Sequence, residues 1–331
     1  MSARFAFSHD RSAYSVKTAR LISVQVSAFV LALIASSFVV HAALYVAPGD
    51  PITVLSAGRN LTPEAERALV EQYNLDDPFL TRYFTWLFDV AQGDMGTSII
   101  QNADVAALIT PRLGSTLLLL AMASFLMVVV GIGMGLAAGL GGRKLDGGVR
   151  AASSLGIATP SFVAAIVLIA VFAVGLGWFP VFGAGEGFLD RVYHLILPSV
   201  ALALAQWSSI ARVTRISVRS EADKEHVETA RSRGLSESGI IKRHVLRNAM
   251  IPITTIAGLT IAGTIAATVV VETAFGINGM GSLLIESVTS KDFAVVQAVS
   301  LIYVAFFLVV NMIVDLSYTL IDPRIRTGDS K

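Results

Sequence analysis

The chain contains no cysteine among its 331 residues. A disulfide framework, a thiolate metal site and a cysteine nucleophile are all excluded, and the redox compartment is left open. Charge is scarce as well: 15% of residues are Asp, Glu, Lys or Arg, against about 25% in a soluble domain. The net charge of +1 is too near neutral to point to nucleic acid or any strongly charged partner. No G-x-x-x-x-G-K-[ST] occurs anywhere, so the chain has no loop of its own to cradle ATP. The five histidines, at 9, 41, 194, 226 and 244, show no ligand spacing, and no metal site is expected. Within the apolar runs His41 stands alone, and Asp315 lies near the end of the last one. Proton-coupled carriers need intramembrane carboxylates or histidines for a relay. Their scarcity counts against secondary transport, although Na⁺ coupling through backbone carbonyls stays open.

What the chain does have is apolar length: 54% of it is hydrophobic and its mean hydropathy is +0.69. A spanning helix needs ~20 mostly apolar residues. Six stretches qualify, at about 21–46, 113–140, 148–176, 194–214, 250–271 and 294–319. The first loosely resembles a signal peptide around Val40-His41-Ala42 but is far longer than the ~7–15 residues of a signal core, so it is a retained signal anchor. Pro160 and Pro198 fall inside the third and fourth stretches and Pro252 opens the fifth. Each predicts a local break in the backbone ladder.

Basic residues orient the spans. Arg4, Arg11, Lys17 and Arg20 precede the first, Arg143 and Lys144 follow the second, and a dense set from Arg212 to Arg247 follows the fourth. Arg324, Arg326 and Lys331 close the chain, whereas segment 47–111 has three arginines against nine acids. The expectation is an all-α polytopic membrane protein of six spans with both termini cytoplasmic. Its parts are a cytoplasmic segment 1–20, a first span 21–46, an extracytoplasmic helical segment 47–111, a five-helix core 112–319 and a tail 320–331.

In segment 47–111, Thr62-Pro63-Glu64 reads as N-cap, first-position proline and first-turn acid of a helix running to about Asn74. Leu80, Tyr83, Phe84, Leu87 and Phe88 then repeat at helical spacing, the pattern of an interfacial amphipathic helix. The segment is either a packed cap over the spans or a receiver for a partner protein. Gly131, Gly133, Gly135 and Gly139 invite a nucleotide reading, but they lie in an apolar run with no strand before them. Gly131, Gly135 and Gly139 make a four-residue repeat, a face on which helices approach closely.

The cytoplasmic stretch from Glu221 to Pro252 is long, polar and patterned. Val227, Ala230 and Gly234, then Ile240, Ile241 and Val245, predict two short helices broken at Gly234. Gly234 supplies the left-handed residue that ends a helix, Leu235 can fold back as the accompanying contact, and Ser236 can cap the next helix. Lys224 and Glu228 stand one turn apart and can pair. Such a helix suits insertion into a cleft on another protein. The alternative is a basic helix on lipid, which the five interleaved acids weaken.

Glu228-Thr229-Ala230 with Gly234 resembles the E-A-A-x-x-x-G signature of permease subunits of ABC importers, with Thr229 in place of the first alanine. The longer spacing to Arg247-Asn248-Ala249-Met250-Ile251-Pro252 is similar to the dipeptide/oligopeptide/nickel branch. So are Pro48-Gly49-Asp50-Pro51, Gly93-Asp94-Met95-Gly96-Thr97-Ser98, Thr159-Pro160-Ser161-Phe162 and Ile196-Leu197-Pro198. Glu272-Thr273-Ala274-Phe275 with Gly279-Met280-Gly281 follows, then Val314-Asp315-Leu316 through Asp322-Pro323-Arg324-Ile325-Arg326. The resemblance runs along almost the whole chain, and the long segment after the first span looks like the B-type subunit.

The resemblance implies the fold of a type I importer permease in the inner membrane. It implies a C-type permease partner, one or two P-loop ATPase subunits holding ATP and Mg²⁺, an extracytoplasmic peptide-binding protein and surrounding lipid. No cofactor is expected on this chain and no reaction of its own. It assigns segment 221–249 to coupling, with Glu228, Ala230 and Gly234 at the ATPase interface and Arg231 and Arg233 in support. Thr260, Thr264 and Thr268 form a polar stripe on the fifth span, with Gly263 beside it and Gln206 on the fourth. They either line a substrate path for peptide backbones or make ordinary interhelical contacts. Nickel chelates and glutathione are alternative substrates within the branch. Other classes fit less: a secondary transporter or a structural subunit does not need the coupling-like segment, an exporter permease would not share the ordered motifs, and a membrane enzyme lacks a nucleophile, metal or acid-base pair.

Overall fold

Helices that are apolar nearly all round can bury one face in protein and give the other to lipid. The chain folds on that principle in a computed structural model that describes residues 6–46, 62–64, 67, 70 and 76–321. Helix α1 is Ala6–Val46, so the first span continues a helix begun well before residue 21. Residues 63, 64, 67 and 70 are helical after Thr62, while the rest of the helix expected to Asn74 lies outside the described residues. So do the Pro48–Pro51 motif and the terminal motif from Asp322.

Helix α2, Phe79–Ala91, leads to a two-residue ribbon in which β1 (Thr97–Ser98) pairs antiparallel with β2 (Ala103–Asp104). Asp104 then caps α3, Val105–Leu140, by accepting the N–H of Ala106 at 2.8 Å. The second span thus begins at Val105, not near residue 113, and its helix runs through Pro111, which lies inside it.

The third span is not one helix. α4 (Arg143–Ala158) and α5 (Ser161–Leu168, continued by a π-helical stretch Ile169–Gly175) meet at Thr159-Pro160 with a bend of 99°. Pro198, by contrast, breaks nothing. Helix α6, Gly187–Ala222, runs through it, and the Ser199 hydroxyl donates to Ile196 O at 2.8 Å beside it. The bond that Pro198 cannot make would run to the His194 carbonyl, and the helix continues without it. Then come α7 (Glu225–Ser232), α8 (Glu237–Ile240) with a π-helical turn Ile241–Val245, and α9 (Leu246–Ala274), which includes Pro252. α10 (Met280–Ser290) and α11 (Phe293–Ile321) complete the described chain. Among the described residues five helices are long and apolar enough to cross a membrane, and six if the bent pair counts as one.

The core is centred on α3, α6 and α9, with Leu119, Met127, Leu202, Ile210, Val271 and Phe275 among its buried side chains. The glycine repeat of α3 sets the closest contact. A Cβ on Gly131 would stand 2.7 Å from Ile210 Cβ, and one on Gly135 would stand 2.5 Å from Thr214 Cβ. One on Gly139 would meet Val218 Cβ at 3.2 Å, whereas Gly133 has nothing within 4 Å. Each glycine in the four-residue register faces the next turn of α6, which is the packing expected of them.

Candidate functional site

The coupling segment stands on its own small core. Val227 and Ala230 of α7 pack inward on Val218, Ile240, Val245, Ala249 and Ile253. The outer face carries Glu228, Thr229, Arg231 and Arg233, all exposed. Glu225 and Glu228 lie in the first turn and Arg231 in the last, each sign where the helix dipole favours it. The helix ends as its sequence requires: Gly234 has φ +77°, its N–H donates to Arg231 O at 3.0 Å, and that of Leu235 donates to Ala230 O at 3.3 Å. These two bonds are the Schellman closure. Ser236 then caps α8 through the Gly239 N–H.

Three details differ from expectation. Ala230 is turned inward, 4% exposed, so it seats the helix and does not face a partner. Leu235 stays half exposed, so the contact expected of it is not a buried one. Lys224 pairs with Glu221 at 2.5 Å and not with Glu228. Glu228, Arg231, Arg233 and Gly234 do share the outward side. There Arg231 Nε donates to Glu237 at 2.7 Å across the Gly234 turn, and that carboxylate raises the guanidinium pKa further above its ordinary value.

Two charged clusters that sequence reasoning did not single out hold this platform to the spans. Glu221, nearly buried at the end of α6, takes Asn248 Nδ2 at 2.7 Å, His226 at 3.3 Å and Lys224. The end of α6 is thereby tied to both sides of the coupling segment. Further back along α6, Asp146 of α4 receives Arg215 in a two-pronged pair and has Arg219 at 3.5 Å and Arg150 at 3.6 Å. One buried acid thus gathers three cations and fixes the bent pair to the helix that leads into α7.

A third cluster sits at the opposite ends of the spans. Glu272, fully buried in the last turn of α9, accepts Thr116 Oγ1 at 2.6 Å, Gly281 N at 2.7 Å and Ser282 N at 3.2 Å. Thr116 Oγ1 in turn accepts Met280 N at 2.8 Å. A carboxylate at a helix N-terminus satisfies orphan donors and the dipole together. The signal was present in the acid followed by Gly279-Met280-Gly281, but the expected span stopped at residue 271. His41 is not alone either, since its Nδ1 lies 2.7 Å from Gln297 Nε2.

The threonine stripe lies in the core. Thr260, Thr264 and Thr268 are 8%, 0% and 0% exposed. The Thr264 hydroxyl donates to Thr260 O at 2.7 Å, and that of Thr268 donates to Ile265 O at 2.6 Å. Gln206 is half buried on α6, and Gly263 faces outward, away from the stripe. These hydroxyl bonds stay within α9, and all three threonines are buried in the core.

The chain matches the family described as binding-protein-dependent transport system inner membrane component over residues 128–327, and the N-terminal portion of that family over residues 18–120. It is 37% identical over 297 residues to the oligopeptide transport system permease protein AppB of Bacillus subtilis (strain 168), covering 88% of this chain and 93% of that protein. It is 34% identical over 287 residues to the probable peptide ABC transporter permease protein y4tP of Sinorhizobium fredii, covering 86% and 91%. Among solved structures, a chain of the inward-facing MetNI methionine ABC transporter has the same fold, with a TM-score of 0.55 at 17% identity over 65% of this chain and 96% of that one. A chain of an amino acid ABC transporter gives 0.51 at 20% identity, over 64% and 92%. An exposed helix seated on its own core, spans packed through glycine and similarity over 88% of the chain agree: this chain belongs to the binding-protein-dependent transport system inner membrane components, as a multi-pass permease subunit with no ATPase site of its own.

Proposed function

We propose that the chain is the B-type half of a permease pair that moves di- and oligopeptides across the cytoplasmic membrane. Its termini lie in the cytoplasm, its partner is a C-type permease, and ATP and Mg²⁺ are held by one or two P-loop ATPase subunits. A binding protein outside delivers the peptide. The observation that carries the coupling role is α7: its inner face is locked on Val218 and Ile253, while Glu228, Arg233 and the Glu237-paired Arg231 stand exposed on the other side. A rigid seat is what lets closure of a partner move the spans, since a contact that differs between two states is needed to shift their balance. The excess of Lys and Arg beside α7 supports the orientation, and the peptide names of the relatives support the substrate.

Purification of the tagged chain from its native membrane in mild detergent, followed by mass spectrometry, tests the assembly. Recovery of P-loop ATPases and a second permease is expected; recovery of the chain alone, under conditions that hold known transporters together, overturns the reading. Uptake of labelled peptides by the reconstituted complex, in competition with nickel chelates and glutathione, tests the substrate.

A further inference from the structure

Helix α2 has three faces. Phe79, Tyr83 and Trp86 turn toward α1, where Tyr83 is 2% exposed. The Tyr83 hydroxyl bonds Ser37 Oγ at 2.9 Å and Ile34 O at 3.0 Å, and its ring meets Phe38 edge-on at 5.2 Å. Phe79 and Trp86 pack against His41. Arg82, Thr85 and Asp89 form a second, polar row along a cavity of about 260 Å³ shared with His41 and Gln297. Leu80, Phe84 and Phe88 form the third row, and they are 55%, 60% and 68% exposed.

The level at which α2 is fastened to α1 identifies what meets that third row. The apolar length of the first span is Ser23–Leu44, about the ~20 residues that hydrocarbon takes, which puts the boundary near Leu44. At ~1.5 Å per residue, Ser37 then lies about 10 Å inside that boundary. An interfacial amphipathic helix sinks its apolar face roughly 5–10 Å into the zone between headgroups and acyl chains. The outward side chains of the first span in this region, such as Val39 at 65% exposure, are apolar too. The tyrosine and tryptophan on the inner face belong to the residue types that collect at this depth.

We infer that α2 lies in the outer leaflet, with Leu80, Phe84 and Phe88 immersed among lipid acyl chains and Arg82, Thr85 and Asp89 facing water. The helix is a lipid-anchored brace on the first span and not a cap standing in the aqueous space. The inference concerns how the extracytoplasmic segment is held, and it is independent of which solute is transported.

The absence of cysteine makes the test direct. Phe84→Cys, Phe88→Cys and Thr85→Cys carry a nitroxide in turn, in the whole transporter with its partners' own cysteines replaced, reconstituted in phosphatidylcholine–phosphatidylglycerol bilayers. Power saturation compares collision with oxygen and with a water-soluble nickel complex. The expected result is oxygen access with loss of nickel access at 84 and 88, and the reverse at 85. Equal nickel access at all three sites would place the row in water and overturn the inference. Exclusion of both reagents from 84 and 88 would mean a protein partner covers the row, and would overturn it equally. Should a label disturb folding, Phe88→Trp offers a second reading: its fluorescence is expected to be quenched by lipids brominated near the top of the acyl chain. Quenching by aqueous iodide instead would refute immersion.

Discussion

Glu272 accepts the backbone N–H of Gly281 at 2.7 Å, so a carboxylate at the end of α9 caps the first turn of α10. Its two oxygens take three donors, from Thr116, Gly281 and Ser282. Glu272→Gln keeps the shape but removes the charge and offers an amide NH₂ where one oxygen stood. A donor left unpaired in this buried site costs about 1–3 kcal/mol. Lowered thermal stability of the detergent-solubilised protein is the expected outcome, with a larger drop for Glu272→Ala. An unchanged melting temperature for both variants would remove the cap from the account of stability.

The glycine repeat predicts a contrast between neighbours. Gly135→Val places a Cβ 2.5 Å from Thr214 Cβ and 2.7 Å from Ala211 O, and overpacking of this kind costs about 1–3 kcal/mol or more. A Cβ at Gly133 meets nothing within 4 Å, and Gly133→Val is expected to be tolerated. The yield and melting temperature of the two variants, side by side, check the register of α3 against α6.

Coupling and folding separate on α7. Glu228→Ala alters an exposed side chain and should leave stability within about 0.5 kcal/mol while cutting uptake sharply. Ala230→Leu acts on the buried side and is expected to destabilise the segment. Gly234→Val should insert normally and abolish uptake. Its φ of +77° makes a side chain there cost roughly 1–2 kcal/mol, too little to prevent folding. Normal uptake by well-inserted Gly234→Val would refute the coupling assignment.

Asp146 holds Arg215, Arg219 and Arg150 together. Asp146→Asn leaves three cations with no acid among them and should loosen α4 from α6. Reduced stability is expected, together with ATPase activity in the assembled complex that no longer tracks uptake. Arg219→Ala, which removes a partner more exposed and more distant than Arg215, should do much less. Equal behaviour of the two variants would argue against Asp146 as the centre of the cluster.

The threonine stripe offers the sharpest choice between path and packing. Thr264→Val removes a hydroxyl that bonds Thr260 O of its own helix at 2.7 Å and Met127 Sδ of α3 at 3.9 Å. Packing predicts a change of about 1 kcal/mol or less and unaltered uptake of every peptide tested. A shift in peptide preference would return these residues to the translocation path.

Much of the architecture was legible because hydrophobicity and glycine act locally. Runs of ~20 apolar residues mark spans wherever they occur, and a four-residue glycine repeat can serve only a close helix contact. Gly234 is similar: a left-handed residue between two amphipathic patterns ends one helix and lets Ser236 begin another. The bend at Pro160 was signalled as a break, but its size was not, since Pro198 carries the same signal and sits in a continuous helix.

The buried charges were not legible. Asp146 meets Arg215 and Arg219 only because α4 folds back on α6, and Glu272 meets Thr116 across the core. Composition and periodicity say which residues can leave water; they do not say which helix will be opposite. The sequence by itself determined the membrane solvent, the approximate spans, the close-packed face of α3 and the helix–turn–helix of the coupling segment. Tertiary structure alone decided that Ala230 faces inward, that the threonines are core, and that Asp146, Glu221 and Glu272 are structural centres. The reason is that a buried charge persists only where several distant donors converge on it, and such convergence is a property of helix packing.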